Sequence, residues 1–167
     1  MDEITIKRIA QAHPKIRTQL LKDYEDANAL LGKGCRLRFS YVYRSPEEQH
    51  KIFLQRPKVT KADSWQSIHN YGLAFDIVLL YDKNLDGKYE ETSWDMKRDG
   101  DKDGISDWIE ITRLFTSRGY TNGFISNGKK WDFPHFQKDF GHTWRTLYDK
   151  IQKKDSFVEN GILYPKI

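Results

Sequence analysis

The chain has 167 residues, 38% of them apolar and 14% aromatic, which suffices for one hydrophobic core and is short for two, so a single domain over residues 1–167 is expected. Its 28 Lys and Arg against 24 Asp and Glu leave a net charge of +4, which favours an anionic partner such as nucleic acid, a membrane surface or a phosphate-rich wall polymer without choosing among them. The basic residues are scattered, no apolar run approaches the roughly eighteen residues that cross a bilayer, and the N-terminus MDEITIKRIAQAHPKI has no signal-peptide core, so no nucleic-acid partner, no membrane anchor and synthesis in a cytoplasm are expected.

Ile16, Leu20, Tyr24, Ala27 and Leu31 recur at spacings of three and four, which predicts a helix over residues 15–31, stopped by Gly32 and Gly34. Residues 36–44 (RLRFSYVYR) alternate as a half-buried strand does. Ser45-Pro46-Glu47-Glu48 reads as an N-cap, a first-turn proline and two acids, opening a helix over residues 46–55. Residues 56–66 lack a period and form a loop, and 72–81 (GLAFDIVLLY) form a buried central strand. Residues 82–107, rich in Asp, Lys, Asn and Gly, are expected as a long acidic loop insertion. A helix over 108–115 ended by Gly119, short strands at 123–126 and 133–137, and a last helix over 141–153 complete the pattern. The fold class is α+β, a small antiparallel sheet flanked by helices.

Cys35 is the only cysteine, so a metal would have to be held chiefly by His and carboxylate. His69 and Asp76 stand seven residues apart across a loop-to-strand junction, with Gly72 allowing the turn between them. His135, in a second short apolar segment, is the best third ligand, and two histidines with one carboxylate leave a position open for water, as in a catalytic zinc site. Asp132, three residues before His135 with Pro134 between, suits the general base. His13, before a proline, and His50, among polar helix residues, are left out. His142 is a candidate partner behind the ligands.

These segments resemble a known family. Ser67-x-His69-x-x-Gly72-x-Ala74-x-Asp76 with Asp132-x-Pro134-His135-Phe136 is similar to the two-part signature of the LAS-type zinc peptidases, in the branch of D-alanyl-D-alanine carboxypeptidases and L-alanyl-D-glutamate endopeptidases that includes phage endolysins. Tyr43-Arg44-Ser45-Pro46-Glu47-Glu48-Gln49 resembles the way these proteins open their catalytic half, so the likeness runs from about Ile16 to Gln137. The resemblance implies zinc on His69, Asp76 and His135, Asp132 as the acidic base, Arg44 stabilising the oxyanion and Ser67 contacting substrate. It further implies a hedgehog/D-Ala-D-Ala-peptidase-like fold and bacterial peptidoglycan as the partner of a monomer. The small size and missing export signal favour a phage or prophage endolysin, acting at the wall with the help of a separate holin and cutting the L-alanyl-D-glutamate bond. A D-alanyl-D-alanine carboxypeptidase stays open, as does a zinc-containing wall-binding module without catalysis, since hedgehog signalling domains share the fold and a zinc site.

Inside the acidic insertion, residues 99–110 fit the calcium-loop pattern D-x-D-x-D-G-x5-E, with Asp99, Asp101, Asp103, the Ile105 carbonyl and Glu110 as ligands. Residues 82–87 repeat the first half, but Ser93 stands where the closing glutamate belongs. The competing reading is a solvated acidic loop whose Asp and Gly residues make turns.

Overall fold

A computed structural model describes residues 2–126 and 129–167. The first helix, α1 (Glu3–Ile9), is capped by Asp2, whose carboxylate accepts from the Thr5 amide and hydroxyl and from Arg38. It is followed by α2 (Pro14–Leu30), β1 (Cys35–Tyr41) and α3 (Pro46–Leu54). A 3-10 turn (Ile68–Tyr71) leads into β2 (Ala74–Tyr81), then β3 (Glu91–Ser93), α4 (Asp107–Ser117), β4 (Thr121–Ser126), β5 (Lys129–Gln137) and α5 (Trp144–Gln152). A two-stranded hairpin of β6 (Ser156–Glu159) and β7 (Ile162–Pro165) closes the chain.

The main sheet is antiparallel in the order β1-β2-β5-β4, with β3 also paired to β2. β5 takes the first three residues of β2 and β3 the last three. The two-residue period of β2 sends Phe75, Ile77, Leu79 and Tyr81 into the main core and turns Asp76 to the other face. Under that core face lie α2 and α4, through Leu20, Tyr24, Ala27, Ile111 and Phe115, all without exposed surface. Phe75 is the centre of an aromatic cluster, stacked on Phe39 at 4.6 Å and Phe136 at 5.4 Å between ring centroids.

Several expectations are adjusted. β1 ends at Tyr41 and does not run on to Arg44, because its register breaks between Phe39 and Tyr41 and the 3-10 turn captures the next residues: the Arg44 N–H donates to the His69 carbonyl. The acidic insertion is not wholly loop, since β3 lies within it. The strand expected over 133–137 begins at Lys129, and α5 begins at Trp144 after a Thr143 cap. Gly72 is required as such: its φ is +68°, and a Cβ there would meet the His13 backbone nitrogen at 2.7 Å.

Candidate metal centre and pocket

Asp76 and His135 face one another directly across the β2–β5 pairing, and His69 projects from the 3-10 turn just before β2. The Asp76 Oδ1 lies 3.0 Å from His135 Nδ1 and 3.2 Å from His69 Nε2, and the two ring nitrogens are 3.2 Å apart. The Val42 carbonyl sits 2.8 Å from His69 Nδ1 and can only accept, so that nitrogen carries a proton and Nε2 is the nitrogen turned to the group. Three ligand atoms thus converge on one point, as a metal site requires. Burial pushes the Asp76 carboxyl up, but the His69 charge and hydrogen bonds from His135 and His69 overcome it and hold it well below the usual carboxylate range. Burial pushes His135 down, and the hydrogen bond and charge of Asp76 more than offset this, so its proton affinity is raised.

Asp132 reaches the same pocket through a distortion of β5. Between the pairs Asn122–Phe136 and Phe124–Trp131, β4 advances two residues while β5 advances five. The extra residues bulge, Asp132 adopts φ +57°, and Pro134 fits a stretch that donates no ladder bond. Asn122 holds the bulge: its Nδ2 donates to the Phe133 carbonyl at 2.8 Å and the His135 carbonyl at 3.0 Å. Desolvation raises the Asp132 carboxyl, with the Asp76 charge adding to it, while His135, His69 and Arg44 act in the opposite sense.

Arg44 follows β1 and is mostly buried. Its Nη1 donates to Gln49 Oε1 at 3.0 Å, its Nη2 lies 3.8 Å from Asp76 Oδ2, and its guanidinium stacks over the Tyr41 ring. Its Nε, also buried, has no hydrogen-bond partner among the described residues. Gln49 on α3 is fully buried and also donates to the Ala62 carbonyl at 2.7 Å. With the Ser64 hydroxyl on the Pro46 carbonyl and His50 on Asp63, it ties the loop that walls the pocket to α3.

Arg44, Ser67, His69, Asp76, Asp132 and His135, all singled out in the sequence, line this one pocket. Ser67 also caps the 3-10 turn, accepting from the His69 N–H in a capping box with Asn70. His142 lines the pocket and makes its side-chain bond to Thr146, while His13 is buried as the cap of α2. Sequence reasoning missed Gln49 and Asn122, although Gln49 lies within the quoted opening motif.

The acidic loop brings Asp99, Asp101 and Asp107 into a second group with ligand atoms within 4.8 Å of one another. Asp107, at position nine, was not among the expected ligands, because the sequence pattern leaves that position open. Asp103 and Glu110 lie outside this tight group, yet Glu110 is 9% exposed and its Oε2 has no partner among the described residues. Burial, then the charges of Asp103, Asp101, Asp107 and Asp99, push the Glu110 carboxyl up to about 7. The Tyr81 hydroxyl, at the far end of β2 from Asp76, donates to Asp107 at 2.5 Å.

The chain is similar to named L-alanyl-D-glutamate endopeptidases in sequence and in fold. It is 35% identical to the peptidoglycan L-alanyl-D-glutamate endopeptidase CwlK of Bacillus subtilis (strain 168) over 115 residues, which make up 65% of this chain and 64% of that protein. The match therefore spans less than two thirds of the relative's length. The fold is similar to that of the Serratia marcescens L-Ala D-Glu endopeptidase ChiX, with a TM-score of 0.53 and 17% identity over 82% of this chain and 87% of the other. No protein-family model matches the chain.

Proposed function

We propose that the chain is a zinc peptidase that hydrolyses peptidoglycan stem peptides at the L-alanyl-D-glutamate bond. The observation that carries this reading is the cross-strand Asp76–His135 pair closed by His69, with Asp132 and Arg44 lining the same pocket. Ligand atoms about 2.0–2.1 Å from one tetrahedral zinc stand about 3.3 Å apart, close to the observed 3.0 to 3.2 Å, and two imidazoles with one carboxylate suit that ion. When bound there, zinc supplies Lewis acidity and lowers the pKa of a coordinated water towards about 7. Asp132, with its raised proton affinity, takes the proton of the attacking water and hands it to the leaving amine. Arg44 stabilises the negative charge developing on the scissile carbonyl oxygen with its guanidinium charge beside Asp76. Ser67 and the wall formed by Thr60 and Ala62 border the peptide's path.

The same reading makes the protein a monomeric phage or prophage endolysin that is made in the host cytoplasm and acts at the wall. No helix among the described residues is long and apolar enough to cross a membrane. The test is digestion of purified peptidoglycan by the zinc-loaded protein, with released ends identified by mass spectrometry beside Asp132→Ala and His69→Ala controls. New D-glutamyl amino termini, absent from both controls, support the proposal. Loss of terminal D-alanine alone makes the protein a carboxypeptidase, and binding without cleavage makes it a wall-binding module.

We further propose that the 99–110 loop binds calcium through Asp99, Asp101, Asp103, the Ile105 carbonyl, Asp107 and Glu110. The buried, unpartnered Glu110 oxygen beside four aspartates favours a cation over a solvated loop. Isothermal titration with calcium tests it, and absence of a binding isotherm refutes it.

A further inference from the structure

We propose that Gln137, oriented by Asp139, is the positioning residue that keeps a proton on His135 Nε2 and so reserves Nδ1 for the metal centre. The purpose of this arrangement rests on the metal reading above, whereas the hydrogen-bond direction belongs to the protein itself. Gln137 follows His135 by two residues on β5, so both side chains leave the same face. Its Oε1 lies 3.0 Å from His135 Nε2, and its Nε2 donates to Asp139 Oδ2 at 2.6 Å. The other Asp139 oxygen accepts the Gly141 N–H at 2.9 Å.

Donor and acceptor types give this chain one direction. A carboxylate only accepts, so the end of the Gln137 amide that meets Asp139 is the NH2. The end that meets His135 is then the carbonyl oxygen, which also only accepts, so Nε2 must be the protonated nitrogen. Nδ1, which faces Asp76 Oδ1 at 3.0 Å and His69 Nε2 at 3.2 Å, hydrogen-bonds to that carboxylate in the metal-free protein and is the nitrogen left to exchange its proton for a metal. The Val42 carbonyl does the same for His69 from the backbone, beyond the reach of any side-chain substitution. His135 is held by side chains instead, and the neutral amide keeps the Asp139 charge one group away from the ligand ring.

The test uses a pair of substitutions that reverses and then restores the direction. In Asp139→Asn, the new side chain keeps its oxygen on the Gly141 N–H and turns its NH2 towards Gln137, which flips the amide and sets NH2 against the His135 N–H. Adding Gln137→Glu gives an acceptor for both the His135 N–H and the new amide at position 139, with the wild-type net charge. Zinc affinity, measured by chelator competition, is expected to weaken about 10–100-fold in Asp139→Asn and to return most of the way in the double variant. In 15N-histidine-labelled apoprotein near neutral pH, the His135 Nε2–H should exchange slowly in the wild type and the double variant and rapidly in the single one. Gln137→Met, which removes the acceptor, serves should Asp139→Asn fail to fold, and should likewise lose slow exchange and affinity. Wild-type affinity and exchange in Asp139→Asn or Gln137→Met, or a double variant no better than the single, would overturn the proposal. A wild type with a protected Nε2–H that binds no zinc would uphold the hydrogen-bond direction and overturn the metal reading instead.

Discussion

Replacing Glu110 with glutamine isolates the electrostatic load on the acidic loop. In the calcium-free protein the Glu110 carboxyl is pushed from an ordinary 4.5 up to about 7 by burial and its four aspartate neighbours. The folded state therefore still holds this proton at pH values where the unfolded chain has released it. Stability from this group is full below about pH 4.5 and is lost as the pH rises to about 7. Taken whole, the rise corresponds to roughly 3 kcal/mol. Solvent at the rim of the loop screens it to about 1–2 kcal/mol, or about 2–6 °C in melting temperature for a chain of this size. In chelator, thermal melts of the wild type and Glu110→Gln should coincide near pH 4 and separate by that amount near pH 8, with the variant more stable. Groups common to both proteins cancel in the difference. Added calcium should raise the wild-type melt above that of the variant at pH 8. Parallel melts across the whole range, or a wild type that is the more stable in chelator at pH 8, would refute the reasoning.

Three further outcomes follow from the pocket. Asp132→Asn should retain zinc, read by metal analysis, while turnover of peptidoglycan falls about 10²–10⁴-fold, the usual contribution of a positioned base. In the wild type, turnover should rise with pH through the raised Asp132 pKa, since only the ionised carboxylate accepts a proton, and this acidic limb should vanish in the variant. Gln49→Leu removes a hydrogen bond to the Arg44 charge, worth about 1.5–3 kcal/mol; kcat should fall about tenfold or more while zinc content stays at the wild-type level.

Much of the candidate site was legible because period two fixes faces and the proposed ligands sit in short, ordered motifs. Once β2 is read as a strand with Phe75 inward, Asp76 must point the other way. Other parts depend on contacts distant in sequence. The seven-residue α1 is too short to persist alone and is held by Asp2 bonding to Arg38, a residue of β1. β3 exists only as a partner for the end of β2. The bulge that brings Asp132 to the pocket is a mismatch between two strands, and neither strand shows it by itself. The terminal hairpin has a local signal: Asn160 and Gly161, both at positive φ, sit between the paired Glu159 and Ile162 as a two-residue hairpin turn demands.

The pairing of β2 with β5 has a kinetic consequence. Asp76 and His135 are 59 residues apart in the chain and His69 and His135 are 66 apart, yet they meet through only three paired positions. Closing so long a loop is entropically slow, so these rows are expected among the late contacts of folding. A chain that has formed β1, β2 and α2 but not yet docked β5 holds two of the three proposed ligands and not the proposed base, Asp132. Tight metal capture would therefore coincide with the last long-range closure, and metal uptake would lock the two halves of the sheet together once they have met.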